Sequence, residues 1–223
     1  MTSHATVTVL MVAAERREFS GFVRKLEEVR TMDWGLDYAA EGVRSGVRFL
    51  MAANGAGSKL AVAAAERAIA HTRPDLLVSA GYCGALSPHL RVGDIVACRQ
   101  AGGEPGEMLG VDQVVTTAAD KLRAFRQTSA AAVDMESHAL ARFAARQGIP
   151  FRIIRAVSDE AGEDIGIDLN RARDREGRIR DLSVLQLALL RPWSGLPALI
   201  RLAHNASFAS QKLGDFLAST RFD

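Results

Sequence analysis

The chain has 223 residues, 48% of them hydrophobic, enough to enclose a substantial core, and a single domain over 1–223 is the expected organisation. Its 28 basic and 26 acidic residues leave a formal net charge of +2, which offers no attraction for a polyanion; with no zinc-finger or aromatic-basic module present, nucleic acid is disfavoured as a partner. Two cysteines, Cys83 and Cys98, lie in neither a disulfide framework nor a zinc-ligand spacing and suit a reducing cytoplasm.

In chain order, "TVTVLMVAA" (6–14) is β-branched and apolar and reads as a strand; no basic residue precedes it and no cleavage site follows, so it is not read as a signal peptide. "ERREFSGFVRKL" follows, with Phe19, Phe22, Val23 and Leu26 at the spacing of an amphipathic helix. The same order recurs as a strand at 47–53, a loop carrying Gly55 and Gly57, an alanine-rich helix, and the buried strand "PDLLVSAG" over 76–80. "NGAGSK" has neither the phosphate-loop nor the dinucleotide spacing and reads as an ordinary tight loop.

"LRVGDIVACR" is a further strand, and the glycine-rich 101–112 a surface loop. "VDMESHALARFAARQGIPFRIIRAVSD" gives a helix ended by Gly148 and Pro150, then a strand over Phe151–Val157. The acids at the start of that helix sit favourably against its positive dipole end. Beyond Asp159 the chain is charged and irregular, and a helical C-terminal extension is expected over about 182–218. The apolar "LSVLQLALLRPWSGLPALI" is broken by Arg191, Pro192, Gly195 and Pro197, which argues against a membrane span. Repeated strand–helix alternation predicts a three-layer α/β/α sandwich around a twisted, mixed, mostly parallel sheet.

In such sheets ligands bind beyond the carboxyl ends of strands. The polar residues placed there are Glu15 and Glu18, the "GYCG" of Gly81, Tyr82, Cys83 and Gly84, the pair Ser158 and Asp159, and Glu136. Each also has a bland reading: Asp159 as a cap or turn residue, Glu18 as a solvated helix position beside Arg16 and Arg17, Cys83 as a small buried thiol, and His138 as a packed or solvated side chain.

"LLVSAGYCGALSPHLRVGDIV" and "AVDMESHALARFAARQGIPFRIIRAVSDEAG" resemble the two signature regions of the nucleoside phosphorylase family that includes the 5′-methylthioadenosine/S-adenosylhomocysteine nucleosidases. "VAAERREF" and "NGAGSKLAVAAAERAIAHTRPD" are similar to that family's first strand-loop and intervening helix. The resemblance implies cleavage of an N-ribosidic bond through a ribosyl cation. Such a reaction needs an acid for the departing base and anionic groups around the sugar.

Residue by residue, the resemblance makes Asp159 the acid that protonates the purine, a carboxyl that burial must keep neutral to work near pH 7. It gives Glu136 the ribose hydroxyls, puts Met135 against the sugar face, and places Asp134 where nucleosidases often carry Glu. Glu18 matches the acid that orients the attacking water, with Glu15 as the alternative register. No cofactor and no metal are implied; phosphate enters only as a co-substrate if the reaction is phosphorolytic. In the turn "SAGYCGAL", Tyr82 stands where phosphorylases carry a phosphate-binding serine, and Ser79 where they carry an arginine, which favours water. Arg16 or Arg17 is the remaining source of a cation for phosphate.

The segment before "VDMES" lacks the aromatic residue that stacks on the purine, leaving Thr116, Thr117 and Asp120 as candidates to reach the base; an inactive nucleoside-binding protein is the non-enzymatic alternative. The tail is similar to that of the hopanoid-associated phosphorylases, which implies an adenosyl-lipid nucleoside as the alternative substrate. Its apolar stripe, Leu199, Ile200, Ala203, Ala206, Leu213, Phe216 and Leu217, reads first as packing on the domain or on a second subunit, with a membrane surface as the alternative. A homodimer or larger homo-oligomer is expected from the family.

Overall fold

The computed structural model describes residues 7–98, 108–174, 178–179 and 181–222. The first strand, β1 (Thr8–Ala13), buries Val9 and Met11 on one face and Leu10 and Val12 on the other, the pattern of a strand covered on both sides. Its neighbours are β4 (Val47–Ala53) and β5 (Leu76–Ala85), both parallel to it, and β9 (Phe151–Asp159) continues the parallel order beyond β5. Antiparallel strands are added at the margins. These are β3 (Tyr38–Arg44) and β2 (Glu27–Thr31) outside β4, and β6 (Ile95–Cys98) outside β9.

The last residues of β5 peel away to pair with β8 (Ala132–Asp134), which pairs in turn with β7 (Met108–Gly110). One face of the sheet is covered by α2 (Ser58–His71), through Ala61, Ala64 and Ala68, and by α4 (Ser137–Gln147), through Leu140 and Phe143. The other face is covered by Phe19, Phe22 and the second half of α6 (Pro192–Ser219), through Ala209, Leu213 and Leu217. The remaining helices are α1 (Ser20–Val23), α3 (Ala118–Thr128) and α5 (Asp181–Leu189). This is the expected three-layer α/β/α arrangement.

Three local expectations change. The helix after β1 is only a 3₁₀ turn over Arg16–Phe19 and the single turn α1, because the chain here crosses α6 at backbone contact: a Cβ on Gly21 would lie 2.0 Å from the Ser210 carbonyl oxygen. β5 and β9 are longer than the apolar runs suggest, so "GYCG", Ser158 and Asp159 lie on strand ends rather than after them. Met108–Gly110, expected in a loop, is β7, while 99–107, which holds most of that glycine-rich segment, lies outside the described residues. The C-terminal helix packs on the domain, the first reading of its apolar stripe: Leu213 and Leu217 enter the core and α6 supplies one of its layers, although Ile200 is exposed. Pro192 opens α6 at a position where its missing N–H goes unneeded, and the helix continues through Pro197. Among the described residues no helix is long and apolar enough to cross a membrane.

Candidate active site

The carboxyl ends of β1, β5, β8 and β9 and the loop after β4 meet at one cavity of about 480 Å³. Glu18, Tyr82, Cys83, Gly84, Asp134, Met135, Glu136, Ser158 and Asp159, the residues singled out from the sequence, all line it.

Glu18 is turned inward by the 3₁₀ turn and is only 5% exposed. One carboxylate oxygen accepts the backbone N–H groups of Ala14 (2.7 Å) and Glu15 (3.0 Å), and the other accepts that of Tyr82 (3.0 Å). Burial pushes its pKa from 4.5 up to about 7 despite the nearby Arg155 guanidinium. Glu15 also lines the cavity, but it is partly exposed and paired with Arg17. Gly81, at φ +138°, makes room for this arrangement: a Cβ there would lie 2.8 Å from Arg155 Nη1 and 2.9 Å from Glu18 Oε1.

Beneath the acids sits Arg155, which the sequence reading missed. It is 1% exposed on β9, and its Nη2 lies 2.9 Å from Asp134 Oδ2 and 3.2 Å from Glu136 Oε2 and donates to Ser79 Oγ at 2.7 Å. Its Nη1 donates to the Tyr82 carbonyl at 3.2 Å, while Nε has no partner among the described residues. The available signal was a lone charge within the apolar "FRIIRAVSD", since a buried guanidinium has to be matched by carboxylates.

Asp134 is accordingly turned into the protein. Its carboxylate meets Arg155 and accepts from the backbone N–H (3.2 Å) and the hydroxyl of Ser137 at the start of α4. Placed by resemblance among the substrate ligands, it borders the cavity with both oxygens engaged inside the protein, by Arg155 and Ser137. Glu136 keeps more capacity. Its Oε1 accepts the Gly57 N–H at 2.7 Å, its Oε2 faces Arg155, and burial pushes its pKa upward, with Arg155 opposing and Asp134 reinforcing the shift. Gly57, at φ +108°, is therefore more than a loop residue, and the same loop holds Met135 through a hydrogen bond from Ser58 Oγ to its carbonyl (3.0 Å).

Asp159 closes the other end of the row. Ser158 Oγ donates to its Oδ1 at 2.8 Å. Its Oδ2 lies 2.5 Å from the ammonium of Lys121, a fully buried side chain of α3 that also donates to the carbonyls of Glu160 (2.7 Å) and Glu163 (3.1 Å). The sequence reading expects an acid kept neutral by burial; the structure instead sets a cation against it. The contact is a charge pairing rather than a directed hydrogen bond, because Oδ2 has no aligned donor among the described residues. Gly84 gives this carboxyl its space, since a Cβ there would sit 3.0 Å from Oδ2.

Thr117 and Asp120 do not reach the cavity. They cap α3: Asp120 N–H donates to Thr117 Oγ1 (3.1 Å), and the Thr117 hydroxyl donating to Asp120 Oδ2 (2.7 Å), with the exposed Arg123 beside it, holds that carboxyl below the usual range. Thr116 does not line the cavity either, and the wall near Asp159 is aliphatic, made by Val111, Val114, Val115 and Ile165. Cys83 is buried, which pushes its thiol upward and leaves it unreactive, and burial raises the Tyr82 hydroxyl likewise. Arg16 lies over the Tyr38 ring (5.3 Å), whereas Arg17 lines the cavity. His138 is exposed on α4.

A family model described as the phosphorylase superfamily matches residues 9–107 and 104–186. Among solved structures, the chain is similar to the Helicobacter pylori 5′-methylthioadenosine/S-adenosylhomocysteine nucleosidase bound to a pyrrolidine inhibitor, at 15% identity and TM-score 0.69 over 96% of this chain and 97% of that one. It is similar also to the futalosine hydrolase of Helicobacter pylori (16%, TM-score 0.68, 96% and 97% covered). A third is the nucleosidase of S. pneumoniae with a transition-state inhibitor (17%, TM-score 0.69, 95% and 97% covered). At these identities the structures establish a shared fold, while the sequence model covers most of the chain. The chain belongs to the phosphorylase superfamily and is an enzyme of the nucleosidase or nucleoside-phosphorylase kind.

Proposed function

We propose that this enzyme cleaves the N-glycosidic bond of a purine nucleoside by attack of water on the ribosyl carbon, releasing the free base. The observation that carries the reading is Glu18, a buried carboxyl with a pKa near 7 at the cavity floor, fixed by three backbone N–H groups. A carboxyl of that pKa is partly in its basic form at neutral pH and takes the proton that water loses as its oxygen bonds to the ribosyl carbon. Glu136 accepts the ribose hydroxyls and faces the positive charge that grows on the sugar, and Met135 packs against the ring. Asp159, with Ser158 and Lys121 behind it, receives the base: its protonated carboxyl gives its hydrogen to the leaving nitrogen while Glu18 takes the proton that water loses, so protons balance across the step.

Water is favoured over phosphate on charge. Asp134 and Glu136 already hold the buried guanidinium of Arg155, so this cation is occupied and does not serve an entering dianion. Phosphorolysis remains the alternative, with Arg17 as the cavity-lining cation that would hold phosphate.

The rest of the cavity supports a nucleoside with an apolar 5′ substituent. Its far wall is built by α5 and α6 from Val184, Leu185, Leu199, Leu202, Ala203 and Ala206, more aliphatic surface than a bare ribose uses. An adenosyl-lipid of the hopanoid kind fits that description. Incubation with a panel of purine nucleosides carrying hydroxyl, short thioalkyl and long alkyl 5′ groups, with and without phosphate, tests both points by following free base and sugar product. Base release that requires phosphate refutes hydrolysis, and indifference to the 5′ group refutes the apolar substituent.

A further inference from the structure

The α5–α6 hairpin is apolar on both of its sides. Its inner side walls the cavity with Val184 and Leu199, whereas its exposed side, which adjoins the cavity through Leu185 (40% exposed), leaves Leu182 (66%), Leu189 (53%), Leu190 (74%), Trp193 (94%) and Ile200 (70%) in water. Leu182 and Leu189 lie seven residues apart on α5, and Trp193 and Ile200 seven apart on α6, so each pair projects from one face of its helix, and Leu190 sits at the turn between. Scattered exposed leucines mean nothing, but a cluster centred on an almost fully exposed tryptophan marks a surface that something covers.

The charge around the cluster selects what covers it. Between Asp181 and Asp215 the sequence has no carboxylate and three permanent cations: Arg191 within the cluster, Arg201, which donates to the Asp164 carbonyl, and Lys212, which lies over the Phe208 ring farther along α6. Arg191 stands between Leu190 and Trp193 at the turn and is exposed. Tryptophan and leucine beside arginine match the boundary of an anionic bilayer, where the indole takes the headgroup level, the aliphatic chains enter the acyl region and the guanidinium meets lipid phosphate.

We propose that the outer face of the α5–α6 hairpin docks on an anionic phospholipid surface, with Leu190 and Trp193 as the inserted residues and Arg191 as the phosphate contact. The hairpin lies in the interface and does not span it. Docking is independent of which nucleoside is cleaved, because the outer residues are not those that line the cavity.

The test is co-sedimentation of the full chain with vesicles of phosphatidylcholine alone and of phosphatidylcholine with phosphatidylglycerol, at low and high salt, together with tryptophan emission. Trp34 is only 4% exposed in the core, so a blue shift on adding vesicles reports Trp193. The expected result is binding to the anionic vesicles that weakens with salt, a blue shift, and about tenfold weaker binding for a Leu190→Ser/Trp193→Ser double variant. That variant should keep its far-UV spectrum and its turnover of a water-soluble nucleoside. Absence of binding, equal binding to both vesicle types, or undiminished binding by the variant overturns the proposal. So does a wild-type dimer that the variant dissociates while neither protein binds lipid, since the cover is then a second copy of the chain.

Discussion

Replacing Glu18 by Gln removes a titration that the fold has shifted. The carboxyl's pKa is 4.5 in an open chain and about 7 in the cavity floor. Between those values the native protein holds a proton that the unfolded chain has released, so the stability of the wild type falls as pH rises through the window. At about 1.4 kcal/mol per pKa unit, this one group accounts for a decline of about 3 kcal/mol, complete above pH 7 and absent below 4.5. The glutamine variant has no such decline, but its amide NH₂ must face one of the backbone N–H groups from Ala14, Glu15 or Tyr82, an unmade buried bond worth about 1–3 kcal/mol. The variant is therefore less stable than wild type near pH 5, and the gap closes or reverses by pH 8. Urea melts of both proteins at several pH values measure the difference directly. Parallel stability curves would refute the claim that Glu18 is a buried acid titrating near neutrality. In activity, the same substitution lowers kcat by about 10²–10⁴-fold and removes the acid limb near pH 7 from the kcat/KM profile.

Arg155→Met leaves Asp134 and Glu136 buried against an apolar chain, and a loss of about 3–5 kcal/mol in chemical denaturation is expected; a change below 1 kcal/mol would mean that the acids find other partners. Lys121→Met strips the cation from Asp159 and the donor from two carbonyls, with destabilisation of similar size, about 3–5 kcal/mol, and a changed pH profile for base release. An unchanged profile would detach Lys121 from the chemistry. Gly84→Ala sets a methyl 3.0 Å from Asp159 Oδ2, so kcat falls while the melting temperature shifts little; equal kcat in the two proteins removes Asp159 from the role given to it.

The near-continuous apolar runs of "TVTVLMVAA", "VRFLMAA" and "FRIIRAVSD", with the helical stretches between them, by themselves determined the layers, because a strand buried on both faces has to be apolar on both, and the glycine and proline punctuation placed most of the element ends. The strand ends marked Glu18 and Asp159 as candidates for one edge of the sheet, whereas Glu136 follows β8, a short strand antiparallel to β5 that the apolar pattern does not announce, and it was the family resemblance that joined the three acids. Only the tertiary structure decided which charge meets which. Arg155 beneath the acids, Lys121 against Asp159 and the Gly57 N–H on Glu136 each join residues far apart in the chain, on elements brought together by strand order and register. Periodicity reports only how apolar a face is and carries no record of the partner packed against it, so the matching of buried charges, and with it the protonation of Glu18, emerges only when the sheet has set its register.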